Sequence, residues 1–145
     1  MDTKMEQIIK KLQEEGEKYR ITNKRLLAIC NEVENLILGT TPEDYTCKIQ
    51  GDFGELEIRR YTGYDAGIWR DFKYLKYNDD ILTEIWFNDA HAGTICGTRA
   101  NRITFLKNLD KILNALMQKL QEQNAYAEGI LDRIKIEPPV NADDQ

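Results

Sequence analysis

Residues 45–58 read YTCKIQGDFGELEI, and their period decides the fold class. Tyr45, Cys47 and Ile49 alternate with Thr46, Lys48 and Gln50. Past the turn Gly51-Asp52-Phe53-Gly54, Leu56 and Ile58 alternate with Glu55, Glu57 and Arg59. A period of two gives an extended chain one apolar and one polar face, so this stretch is a β-hairpin with a four-residue connection. Toward the C-terminus the pattern repeats. Thr62–Gly67 reads as a loop, Ile68–Tyr77 as a strand, Asn78-Asp79-Asp80 as a turn, and Ile81–Phe87 as the returning strand. Residues 88–93 turn again, and Thr94–Thr98 reads as a short fifth strand. Parallel neighbours need long crossovers, so consecutive strands on short turns predict an antiparallel meander over residues 44–98.

On the N-terminal side the period changes to that of a helix. Met5, Ile9, Leu12, Gly16, Tyr19, Asn23, Leu26, Cys30, Val33 and Ile37 are spaced 4, 3, 4, 3 without a break, a heptad seam over residues 3–38. Two seam positions stand out. Gly16 weakens a helix interior, and Asn23 is polar where the neighbours are apolar. Thr22 is a fair N-cap, so the sequence allows one helix or two here; Asn23 would alternatively fix register against a partner helix. On the C-terminal side Leu106, Leu109, Leu113, Leu116 and Leu120 restore the 3, 4 spacing and predict a helix over 100–125. That pattern extends through Ala127, Ile130 and Ile134 toward 135, with a short strand over Ile130–Ile136 as the alternative. Glu137-Pro138-Pro139 stops it, and 138–145 reads as a loose acidic tail.

The expected architecture is therefore α+β: an antiparallel β-meander of four to five strands flanked by long N-terminal and C-terminal amphipathic helices, in a single domain over 1–137. A chain of 145 residues with 41% hydrophobic and 31% charged side chains suits one globular domain. A 35-residue helix spans about 52 Å, whereas five strands of ordinary length give a sheet roughly 20–25 Å across. The surplus apolar seam needs another surface. Self-association is expected through Ile9, Leu12, Leu26, Val33, Leu109, Leu113, Leu116 and Leu120, as a coiled coil and most simply as a dimer.

Chemistry-bearing signals are sparse. The chain has a single histidine, His91, three scattered cysteines (Cys30, Cys47 and Cys96) and no serine. No glycine pattern matches a phosphate loop or dinucleotide turn, and no spacing matches a zinc or EF-hand site. No catalytic residue, metal or cofactor is expected, and the enzymatic reading, resting on His91 with Asp89 and Cys96, ranks last. Net charge is −5 with pI near 5.0. No apolar h-region follows Met1, and no apolar run approaches the ~18 residues of a membrane span. A cytoplasmic protein without membrane contact is the expectation.

The most unusual segment is Arg59–Tyr77, RRYTGYDAGIWRDFKYLKY. It holds five of the chain's 20 Lys and Arg, six of its 13 aromatics and only two carboxylates. Arg59, Arg60, Tyr61, Tyr64, Trp69, Arg70, Lys73, Tyr74 and Lys76 form a candidate binding face. Trp, Tyr and Arg are the usual anchors of protein interfaces; basic groups interleaved with rings also suit a nucleotide or single-stranded nucleic acid. Strand propensity by itself explains aromatics in this position equally well. Ahead of the last helix, a glycine-containing loop with Arg99 and Arg102 is a candidate anion site. The leading functional expectation is a non-enzymatic, oligomeric adaptor or inhibitor acting on another protein, of the sort found among phage and mobile-element accessory proteins. Nucleic-acid or nucleotide binding through 59–77 is the alternative.

Overall fold

The computed structural model describes residues 2–42, 44–65, 68–87, 94–95 and 97–134; the side chains of 62–65, 68–71, 85–87 and 94–95 lie outside that description. The chain runs α1 (Thr3–Thr40), β1 (Tyr45–Gly51), β2 (Gly54–Asp65), β3 (Ile68–Tyr77), β4 (Asp80–Phe87), β5 (Thr94–Ile95), α2 (Arg99–Lys107) and α3 (Leu109–Ile134). This is an α+β layout, with five strands in sequential order, each antiparallel to its neighbour. The chain divides into two compact units, residues 1–109 and 110–145.

In the first unit the sheet is longer-stranded and tighter-turned than the sequence suggested. Gly51 pairs with Gly54, so the first hairpin loop is Asp52-Phe53, two residues rather than four. Gly54 sits at φ +113°, and a Cβ there would lie 2.5 Å from Asn78 Oδ1, so the turn requires glycine. The second hairpin overturns the expected loop at Thr62–Gly67: β2 stays paired with β3 through Asp65, against Ile68. Asn78 and Asp79, both at positive φ, make the tight β3–β4 turn, a conformation that Asn and Asp tolerate. The β3–β4 pairing steps from Leu75–Thr83 to Lys76–Ile81, a bulge that leaves Leu82 as the extra residue.

α1 is one unbroken helix of 38 residues. Asp2 caps it, accepting from the Lys4 amide at 3.0 Å. Thr22 starts no second helix. Its hydroxyl donates back to the carbonyls of Lys18 and Tyr19, satisfied within the same helix. At the far end Thr41 Oγ1 donates to Leu38 O, and Arg60 Nη1 reaches Thr41 O at 2.6 Å, placing a cation at the helix C-terminus.

The core lies between one sheet face and the last third of α1 together with α2. Cys47, Ile49, Leu56, Ile58, Leu75 and Tyr77 come from the sheet, Cys30, Ile37 and Leu38 from α1, and Phe105 from α2, all buried. Tyr77 stacks edge-on against Phe105 with centroids 5.5 Å apart, and its hydroxyl donates to the Phe53 carbonyl. The helix predicted over 100–125 is broken at Asn108, whose amide and side chain both turn back to Thr104 O. In the second unit α3 runs on to Ile134, so Ile130–Ile134 is helical. Ile112 and Leu116 are its buried positions, while Leu113, Met117, Tyr126, Leu131 and Ile134 are exposed. The tail 138–145 lies outside the described residues.

Candidate interaction surfaces

The strand register sorts the 59–77 candidates onto two faces. Arg60 and Lys73 pair with each other and share the helix-side face with Ile58 and Leu75. Arg60 is half-buried and spent on the end of α1, and Lys73 is half-buried. Arg59, Tyr61, Tyr74 and Lys76 lie on the opposite face, joined there by Phe72. The backbone pairs Tyr64 with Trp69 and Gly63 with Arg70; the side chains of Tyr64, Trp69 and Arg70 lie outside the described residues.

On that outer face three rings form a ridge. Phe72 is its centre, 7% exposed, with the Tyr61 ring 5.2 Å and the Tyr74 ring 5.9 Å away. Tyr61 stands out at 43% exposure. Burial, and next the Glu57 carboxylate, push the Tyr74 phenol above its ordinary value, so it is a neutral hydrogen-bonding group. Around the ridge the neighbouring strands supply both signs of charge. Among the described side chains Lys48, Arg59 and Lys76 are interleaved with Glu55, Glu57 and Glu84, three against three. Lys48 meets Glu55 at 3.0 Å, Arg59 meets Glu57 at 3.8 Å, and Lys76 meets Asp79 at 3.9 Å. The basic excess of segment 59–77 is thus a property of the one-dimensional sequence. Folding places acidic neighbours from β2 and β4 beside it.

The candidate anion site has a comparable outcome. Thr98 caps α2, accepting from the Asn101 amide. The carboxylate at this helix start is the chain's own: Asp80 Oδ2 accepts from the Thr98 amide at 2.7 Å and from Asn101 Nδ2 at 2.9 Å. The Asn101 hydrogen bond first, and then the Thr98 amide, hold Asp80 below the usual carboxylate range. Arg102 turns inward, 2.9 Å from Glu34 Oε1 with both side chains buried, and donates to Leu82 O. Thr83 Oγ1 donates to the other Glu34 oxygen, and Cys30 Sγ contacts Arg102 O at 3.7 Å. Arg99 instead lies over the Tyr19 ring, 4.5 Å from its centroid, with its Nε buried and without a hydrogen-bond partner.

Glu34 and Thr83 did not stand out in the sequence. The available signal was Glu34's spacing: with Cys30 and Leu38 it forms an i, i+4, i+8 row on the apolar stripe, where a carboxylate needs a partner. No family model, no curated protein and no solved structure matches this chain. The arrangement must be read from its own geometry. Among the described residues no three His, Cys, Asp or Glu side chains gather as a metal site, and no helix is long and apolar enough to cross a membrane. His91, Asp89 and Cys96 lie outside the described residues.

The α1 seam is the second surface. Its C-terminal positions are core, with Cys30 at 0% and Ile37 at 4% exposure, and Leu26 and Val33 are half-buried. Its N-terminal positions open to solvent, with Met5 at 52%, Ile9 at 36% and Leu12 at 69%. One unbroken stripe thus serves two environments. Of the α3 positions named for association, Leu109 and Leu120 are half-buried, Leu113 is exposed and Leu116 is buried.

Proposed function

We propose that this chain is a non-enzymatic interaction protein, an oligomeric adaptor or inhibitor. It joins copies of itself through its long helices and presents the outer sheet face to another protein. The observation that carries the reading is the exposed run Met5, Ile8, Ile9 and Leu12 at the free end of a helix whose other end is core. A helix of 38 residues is about 57 Å long, and its buried residues begin only at Cys30. Leaving four large apolar side chains exposed along one seam is costly, and burial between chains removes that cost.

The charge mosaic on the outer face favours a protein partner over a phosphate polymer. A single strand of nucleic acid is held by net positive potential, with counterion release supplying the affinity. Among the described side chains three bases are matched by three carboxylates, which offer little of it, whereas a central aromatic ridge with a mixed-charge rim resembles the anatomy of a protein interface.

Light scattering or sedimentation of the pure protein across a concentration series tests self-association, and a lone protomer at the highest concentration would remove it. For the outer face, a partner retained by the wild type and lost by Tyr61→Ala/Tyr74→Ala is the expected result. Gel shifts with single-stranded oligonucleotides from low to physiological salt test the nucleic-acid reading; tight binding at low salt that weakens steeply would reverse the preference.

A further inference from the structure

We infer that the exposed end of α1 is covered by the same end of a second copy running antiparallel, so that residues 5–16 of the two chains cross as a short helix pair. This rests on the self-association proposed above and fixes its direction. The apolar stripe is open only at its start. Met5, Ile8, Ile9 and Leu12 are exposed, and Gly16 adds no side chain. At the next turn the Arg99 guanidinium lies over the Tyr19 ring, and from Leu26 and Cys30 on the stripe enters the chain's own core. A partner helix therefore finds free stripe over residues 5–16, about 17 Å of helix, and none beyond it.

Two features select the direction. The first is space. Two chains laid parallel bring both α2 helices and both sheets to one end of the pair, where they collide. Antiparallel, the two bodies leave at opposite ends. In the register that sets Ile9 against Leu12 of the second copy, Met5 faces Gly16, and twofold symmetry repeats each contact. Asp2 then comes level with Tyr19 of the other chain, so the overlap stops where that chain's Arg99 begins. The second feature is charge. Lys4, Ile8, Lys11 and Glu15 follow one another at spacings of 4, 3 and 4 along one edge of the stripe. In the antiparallel pair this edge meets itself, and Glu15 of the second copy lies beside Ile8, between Lys4 and Lys11. Among the described residues neither lysine pairs with a carboxylate of its own chain, and Glu15 makes an exposed pair with Lys18 at 3.3 Å. The crossing brings a carboxylate to these lysines twice, once in each half of the pair.

Cross-linking in the full-length chain tests this. Met5→Cys and Gly16→Cys, mixed and mildly oxidised, should link position 5 of one chain to position 16 of the other, beyond any link the wild type forms. Each variant by itself should stay unlinked, because like positions then lie about 17 Å apart, too far for a disulfide. Charge exchange gives an independent reading. Glu15→Lys sets like charges against Lys4 and Lys11 and should raise the dimer dissociation constant about tenfold. Lys4→Glu/Lys11→Glu/Glu15→Lys restores opposite charges between chains and should return most of that loss. The mixed link together with this rescue supports the antiparallel pair. A dimer in which Met5→Cys links to itself, in which neither variant links, or which the triple exchange fails to rescue overturns the crossing and leaves self-association standing. A protomer at every concentration overturns both.

Discussion

The buried pair of Glu34 and Arg102 shows how single residues tie this fold together. Glu34 comes from α1, Thr83 from β4 and Arg102 from α2, so one carboxylate joins three elements. Burial pushes the Glu34 carboxyl up, while the Thr83 hydroxyl and then Arg102 pull it back. Removing one partner leaves a desolvated charge, so Glu34→Ala should cost about 3–5 kcal/mol. Glu34→Leu/Arg102→Met should recover much of that loss in urea unfolding, because it removes both charges. The same environment governs Cys30, whose thiol burial and then Glu34 push up, leaving it protonated and unreactive in the folded chain. Asp80 titrates in the opposite sense. Its folded value lies below the unfolded one, so its contribution is present at neutral pH and is lost as pH falls through the folded value. Asp80→Asn should be less stable than the wild type at pH 7, and the gap should begin to narrow near about pH 4 and close as pH falls through the lowered folded value. A gap constant from pH 7 to pH 2 would contradict the assigned role.

Among the elements, α1 has a weak point that its surroundings do not require. A Cβ added at Gly16 meets nothing within 4 Å, and Gly16 has no left-handed φ. Gly16→Ala should therefore stabilise the helix by about 0.5–1 kcal/mol, visible as a higher melting midpoint in far-ultraviolet circular dichroism. Gly54 is the opposite case. Its φ of +113° and its approach to Asn78 mean that Gly54→Ala should destabilise the first hairpin. The break at Asn108 belongs to this scale too. The leucine spacing of 106–120 reads as continuous, yet the backbone leaves the helical region at Asn108 (φ −104°, ψ 15°), the C-cap of α2, and α3 begins at Leu109.

For the whole molecule, apolar seam left over after folding should make stability depend on protein concentration. Association that buries Met5, Ile9 and Leu12 stabilises only the folded chain, so the melting midpoint should rise with protein concentration and fall on dilution. A midpoint independent of concentration would argue that the exposed stripe meets nothing. Deep in the core, Phe105 is fully buried against Tyr77, and Phe105→Ala should cost about 3–5 kcal/mol.

Periodicity alone determined the order helix, meander, helix, the antiparallel pairing and the stripe along α1, because helix and strand periods are local properties of the chain. What the tertiary structure decided was the meaning of the polar residues. The basic run 59–77 became a mixed-charge mosaic when Glu55 and Glu57 of β2 came to lie beside β3 and Glu84 of β4 came to lie beside Tyr74. Arg60 and Arg102 were drawn to the end of α1 and to Glu34. A charged side chain's role depends on what folding brings within hydrogen-bond reach, often from tens of residues away, and that distance is absent from the linear pattern.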